Sequence, residues 1–287
     1  MKRVNNQTDW ALQVAYEGSG FQGFQALPQA RTVQGVLEKT LGQILKQTCP
    51  VVGAGRTDAG VHAYGQVVGF QAPLPFAPER LLSLLQRRLP ADLTAKALWP
   101  VPAHFHARFS ARARHYRYLL RLNCPPSPFE ARTTWTYPYP IEPEKLAQAW
   151  AQCQGQFDFK PLARAQAGQH ATQLNIWLSQ MRSQGDYQML EIVADRFLTS
   201  LVRRLVGTAL DMARGRLPMD YLEQVLKGQI QPTEPQGRLA PPQGLYLCQV
   251  FYPPEFGIQP PYPDPLSPES CALIPQQALQ DPGLWWD

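Results

Sequence analysis

Long apolar runs are missing from this sequence. Across its 287 residues, prolines, glutamines and arginines break every hydrophobic stretch before it reaches the ~18–20 residues that a bilayer-spanning helix needs, which excludes a transmembrane helix. Cysteine is scarce as well. The five present (Cys49, Cys124, Cys153, Cys248 and Cys271) are odd in number, scattered and never arranged as CxxC, which speaks against a disulfide framework and a structural zinc site. Five histidines are equally dispersed. The spacing of His104 and His106 suits either a metal chelate or plain alternation along a strand or loop. The N-terminal MKRVNNQTDW is basic but lacks the apolar core of a secretory signal, so the expected compartment is cytoplasmic.

Charge is sparse, with 17% charged against 44% hydrophobic residues. That ratio argues for packed domains rather than disorder, and the length suits about two of them. The charge present leans positive: 27 basic against 22 acidic residues give +5. Arginine dominates, 20 against 7 lysines, and a guanidinium suits bidentate phosphate recognition and stacking on flat rings.

Hydrophobic periodicity and breakers set out two similar α+β halves. In the first, a strand over Trp10–Glu17 is followed by a glycine-rich turn, a helix capped by Thr32 and running to about Thr48, and a short strand at Pro50–Gly55. A strand over Val61–Gln71, a helix opened by Pro78 and a strand over Leu93–Val101 complete it. The order β-α-β-β-α-β is the split βαβ of ferredoxin-like folds. The second half repeats this logic with strands at His115–Leu122, Gln173–Arg182, Tyr187–Ala194 and Leu245–Tyr252. Its helices are expected from Pro143 to Gly155, over about Arg196–Arg214, and after Pro218. The expected domains are 1–104, 105–256 and a tail, 257–287. Seven of those last 31 residues are proline, so the tail reads as extended or disordered.

Three segments carry chemistry. GAGRTDAGVH, Gly53–His62, joins two expected strands, and its glycines at 53, 55 and 60 allow unusual backbone and close ligand approach. Arg56, Thr57 and Asp58 stand at its tip. An ordinary hairpin turn would use similar residues, and the segment lacks the Gly-Lys-Ser/Thr of a phosphate loop. FHARFSARARHYRYLLRL, Phe105–Leu122, holds Arg108, Arg112, Arg114, Arg117 and Arg121, two histidines and no acid. Rings at 105, 109, 116 and 118 interleave with them. Cations beside rings that stack on unpaired bases are what RNA recognition requires; the alternative is a solvated basic strand with its rings in the core. In RFLTSLVRRLVG, Arg196–Gly207, Arg203 sits among apolar neighbours. Either it meets an anion, because an unpaired buried charge is penalised, or it snorkels to water.

Together these segments resemble the tRNA pseudouridine synthases of the TruA type. The likeness runs from about Trp10 to Tyr252, carried most specifically by GRTDAGVHA at Gly55–Ala63. FHARFSARARHYRY, FLTSLVRRLVG and APPQGLYL (Ala240–Leu247) follow in order. The resemblance implies isomerisation of uridine to pseudouridine in the tRNA anticodon stem-loop, at positions 38, 39 and 40, without metal or organic cofactor. It implies a cytoplasmic homodimer of two ferredoxin-like halves with antiparallel sheets flanking a basic cleft. Asp58 corresponds to the essential carboxylate, Tyr116 to the ring that stacks on the target uracil, and Arg203 to the cation paired with Asp58. Arg56 is implied to hold the flipped nucleotide. Thr57, His62, Arg108, Arg112 and Arg114 complete the RNA-binding set. The chain departs from the family pattern at Phe24, often Trp, at Phe157, usually His, and at Arg204 and Leu205, commonly Asn and Ile.

Two other classes have specific signatures. A tandem RNA-binding module without catalysis would use the same arginines and rings but gain nothing from Asp58, since a carboxylate repels phosphates. A glycoside-type hydrolase needs a second carboxylate, and none stands near Asp58 in the sequence.

Overall fold

The computed structural model describes residues 9–163, 172–232 and 237–259. The Pro-rich tail, expected to be extended or disordered, lies from residue 260 onward outside the described residues. The chain divides into two compact units, one comprising residues through Arg112 and those from Leu247 onward, the other Ala113–Tyr246. Residues 105–112 and Leu247–Phe251 of the final strand group with the first unit. Three contacts explain this. The Arg112 amide donates to the Phe251 carbonyl at 2.8 Å, the Tyr252 hydroxyl to the Ala107 carbonyl at 2.6 Å, and the Phe105 ring packs against Tyr252 and Phe256.

In the first unit, β1 (Asp9–Tyr16), α1 (Val33–Leu45), β2 (Val52–Gly53), β3 (His62–Gln71), α2 (Pro78–Arg88) and β4 (Leu93–Val101) follow in sequence. β1 is central and antiparallel to both neighbours: Leu12 stands opposite Val68 of β3 and Leu98 of β4. β2 adds to β3 at Val52 opposite Gly69. Thr32 caps α1, its hydroxyl accepting from the Gly35 amide at 3.2 Å, and Lys46 ends it in the left-handed region. α1 buries Val33, Leu37 and Leu41, and α2, opened by Pro78, buries Leu81 and Leu85, the helical spacing of an amphipathic core face.

The second unit contains β5 (Ala113–Arg121), β6 (Trp135–Thr136), α3 (Pro143–Ala151), β7 (Gly155–Asp158), β8 (Gln173–Gln184), β9 (Tyr187–Ala194), α4 (Leu201–Ala213) and α5 (Tyr221–Leu226). β5, β9, β8 and β7 lie side by side in antiparallel order, with β6 parallel to the end of β5. β6 and β7, two and four residues long, are too short to show alternation in a sequence. α4 starts five residues later than periodicity suggests, because Ser200 adopts φ 57° and breaks the spiral ahead of Leu201. The last strand, β10 (Leu245–Phe251), lies beside β3. The fold is mixed α+β with mostly antiparallel pairing. Among the described residues no helix is long and apolar enough to cross a membrane.

Candidate active site

The link from β2 to β3 carries Arg56, Thr57 and Asp58, and it is tied down on both flanks. On one side, Gln66 of β3 donates through Nε2 to the Gly55 carbonyl at 2.7 Å, and the Ala54 amide donates to Val67 at 2.8 Å. On the other, the Thr57 hydroxyl lies 2.8 Å from the Tyr16 hydroxyl at the end of β1. The Thr57 carbonyl accepts from the Phe24 amide at 3.1 Å, and the Gly60 amide donates to Phe21 at 3.3 Å. A two-strand turn requires none of these cross-ties. Arg56 is thereby left exposed and Asp58 half-buried, while Thr57 faces inward. Burial pushes Tyr16 up to about 12 against the smaller opposing effect of its hydrogen bonds with Thr57 and Gln66, so its hydroxyl stays neutral and keeps its proton for this brace.

Of the three loop glycines, only Gly60 adopts positive φ, 80°. Gly53 has another reason to lack a side chain: a Cβ there would stand 2.5 Å from the Phe24 ring. Phe24, one of the departures from the family pattern, is therefore buried as the floor under the loop. His62 is buried at the start of β3, with Nδ1 accepting from the Gly18 amide at 2.9 Å. A nitrogen that accepts an N–H carries a lone pair, so the 3.6 Å approach of Glu17 to the same atom is not an ion pair.

Beyond β4, His106 organises a tight loop. Its Nδ1 accepts from the amides of Arg108 at 3.1 Å and Phe109 at 3.2 Å, which turns that nitrogen away from metal ligation. Among the described residues no three His, Cys, Asp or Glu side chains gather as a metal site. Arg108 is exposed and Arg112 half-buried, and Arg112 Nε meets no acceptor among the described residues.

In the second unit the FLTSLVRRLVG, APPQGLYL and YRY motifs meet. Arg203 on α4 is half-buried, its Nε donating to the Ala240 carbonyl at 2.8 Å while its own carbonyl accepts from the Ala240 amide at 3.1 Å. Arg204 Nη1 donates to the Gly237 carbonyl at 2.9 Å. Gly207 permits this crossing, because a Cβ would fall 1.5 Å from the Arg238 carbonyl oxygen. The same segment then receives Tyr118, whose hydroxyl donates to the Pro241 carbonyl at 2.7 Å. Burial drives Tyr118 well above its ordinary value, and the nearby Arg203 charge opposes that. Tyr116 is buried on the same face of β5, its ring edge-on to Phe197 at 5.0 Å.

Residues 114, 117 and 121 of the basic segment turn inward. Arg114 Nη1 donates to the Asp195 carbonyl at 2.6 Å. Arg117 is fully buried opposite Glu191 on β9, with Nε 2.7 Å from Oε1, and His115 bonds the other carboxylate oxygen. Arg121 pairs with Asp186 and Glu130. The solvated-strand alternative thus fails for β5, whose two faces are both covered: Tyr116 and Tyr118 on one, His115 and Arg117 on the other. Sequence reasoning missed Tyr16 and Gln66, the two braces of the Asp58 loop. The available signal was Gln66, a glutamine in the middle of β3 immediately before the apolar pair Val67 and Val68.

Sequence comparison gives the family. The family profile described as tRNA pseudouridine synthase matches residues 12–110 and 149–253, which takes in the Asp58 loop, α4 and β10. The chain is similar to the tRNA pseudouridine synthase A of Geobacillus sp. (strain WCH70), 35% identical over 240 residues that cover 83% of this chain and 96% of that protein. It is similar to the proteins of the same name from Geobacter sp. (strain M21), 33% identical over 84% and 98% of the two chains, and Listeria monocytogenes, 34% over 83% and 97%. With a profile match spanning both units and relatives aligned over nearly their whole length, the chain belongs to the tRNA pseudouridine synthase family, whose members are isomerases.

Proposed function

We propose that this isomerase converts uridine to pseudouridine in the anticodon stem-loop of tRNA, at positions 38, 39 and 40, with Asp58 as covalent catalyst. The observation that carries the reading is the Asp58 loop itself, a family motif held by cross-ties from β1 and β3 with its carboxylate half-exposed. The reaction cleaves N1–C1′, turns the uracil, forms C5–C1′ and moves the C5 proton to N1 by exchange with solvent, so no atoms are gained or lost. The base leaves the stack first, at a cost of a few kcal/mol. Ionised Asp58 then attacks C1′ or adds to C6; either route makes it a covalent catalyst.

Arg203 is assigned as the cation paired with Asp58, and Tyr116 to stack on the uracil while it rotates. Arg56 steadies the extruded nucleotide, and Arg108 and Arg112 bind phosphates. Thr57, His62 and Arg114 are included in the RNA-binding set, although their side chains are buried in this structure. The reading includes two ferredoxin-like halves, which the run β4-β1-β3 with β2 pairing to β3 in the first unit supports, and a cytoplasmic homodimer.

Asp58→Ala and Asp58→Asn should each cut tritium release from C5-labelled tRNA by at least ~10³-fold while leaving tRNA binding intact. Normal turnover by either variant overturns the assignment. Unimpaired function in Asp58→Asn with tighter RNA binding would mark a binding module instead.

A further inference from the structure

We propose that Phe109 is a stacking platform for an unpaired or extruded base of the RNA substrate; the proposal rests on the tRNA reading above and names a contact residue beyond those assigned there. Tyr116 is assigned to the uracil above. The other rings of the segment, at 105, 109 and 118, are equivalent candidates in the sequence, and burial separates them. Phe105 packs against Tyr252 and Phe256, each at 5.3 Å between centroids. Tyr118 is fully buried. Phe109 is 66% exposed, a planar apolar surface left in water.

The ring is held rather than loose. His106 lies against it at 4.4 Å and 33°, and the residue 106–110 loop is closed from both ends. The Ser110 amide donates to the His106 carbonyl at 2.9 Å, and the His106 amide donates to the Ser110 hydroxyl at 3.0 Å. The Arg108 guanidinium sits 5.6 Å from the Phe109 centroid. No acidic residue occurs between Pro102 and Leu122, so the charged neighbours of the ring along the chain are all cationic. A flat ring among cations matches the two parts of a nucleotide, base and phosphate. Phe129 shows the contrast: it is 95% exposed but adjoins Glu130, whose carboxylate binds Arg121, and an acid there repels phosphate.

The test uses the full chain and a fluorescently labelled tRNA, reading Kd by anisotropy over a salt series. Phe109→Ala should raise Kd about 5- to 150-fold, equivalent to the ~1–3 kcal/mol that stacking contributes per base. Phe109→Leu, apolar but not planar, should bind as weakly as Phe109→Ala, and Phe109→Trp as tightly as the parent. The slope of log Kd against log salt should be unchanged in Phe109→Ala, because no phosphate contact is lost, whereas Arg108→Ala should flatten it by about one. Phe129→Ala should bind as the parent does, and thermal melts of all variants should coincide because both rings are exposed. An unchanged Kd in Phe109→Ala, parental affinity in Phe109→Leu, or an altered salt slope in Phe109→Ala overturns the proposal. If the parent chain itself neither binds nor isomerises tRNA, it is the functional reading that falls.

Discussion

Tyr16 reaches the Asp58 loop through a single oxygen, and that contact ranks it as a positioning residue. Its hydroxyl meets Thr57, the residue directly before the proposed nucleophile, at 2.8 Å. Because burial raises its pKa to about 12, the hydroxyl keeps its proton and the brace persists at neutral and mildly alkaline pH. Misplacing a catalytic group by about 1 Å costs on the order of 10²-fold in rate. Tyr16→Phe should therefore lower kcat for tritium release by about 3- to 100-fold with little change in KM. A merely structural residue would instead lower the melting temperature and leave the kcat of the folded fraction unaltered.

At the scale of elements, β5 carries two roles on alternate faces. One presents Tyr116 and Tyr118; the other inserts Arg117 and His115 against Glu191 of β9. Burial works to raise the Glu191 pKa, but hydrogen bonds and charge from His115 and Arg117 outweigh it and hold the carboxyl below its usual 4.5. A carboxyl that binds its proton less readily when folded stabilises fully above its unfolded pKa, and this is lost as pH falls through the folded one. Melting temperature should accordingly drop on acidification below about 4.5. Glu191→Gln should lower it already at pH 7, since removing one member of a buried pair costs ~3–5 kcal/mol, and should flatten the acid limb. A Glu191→Gln melting curve superimposable on the parent's between pH 7 and pH 3 would refute this account of β5.

For the whole molecule, the count of 27 basic residues overstates what is available to a polyanion. Arg31, Arg117 and Arg121 are committed to acidic partners within the fold. Arg56, Arg108 and Arg112 are the candidates for phosphate contact. At about 0.9 per contact, three of them give a slope of log K against log salt of roughly −2.7 or steeper. A flat titration would remove the electrostatic part of the proposed tRNA interface.

The sequence by itself determined the family, the α+β class, most strands and helices, and the place of Asp58 between two strands, because each is written in local period, breakers or an ordered motif. Its errors fall where information is non-local. Whether Arg117 faces water or Glu191 depends on a residue 74 positions away, and strand alternation cannot tell whether one face or both will be covered. Likewise, nothing local distinguishes Phe109 from Phe105; only the arrival of Tyr252 and Phe256 from a distant part of the chain half-buries one ring, while the other stays exposed. Tertiary structure decided which cations and rings remain at the surface, since burial is a property of what packs against a residue and not of the residue itself.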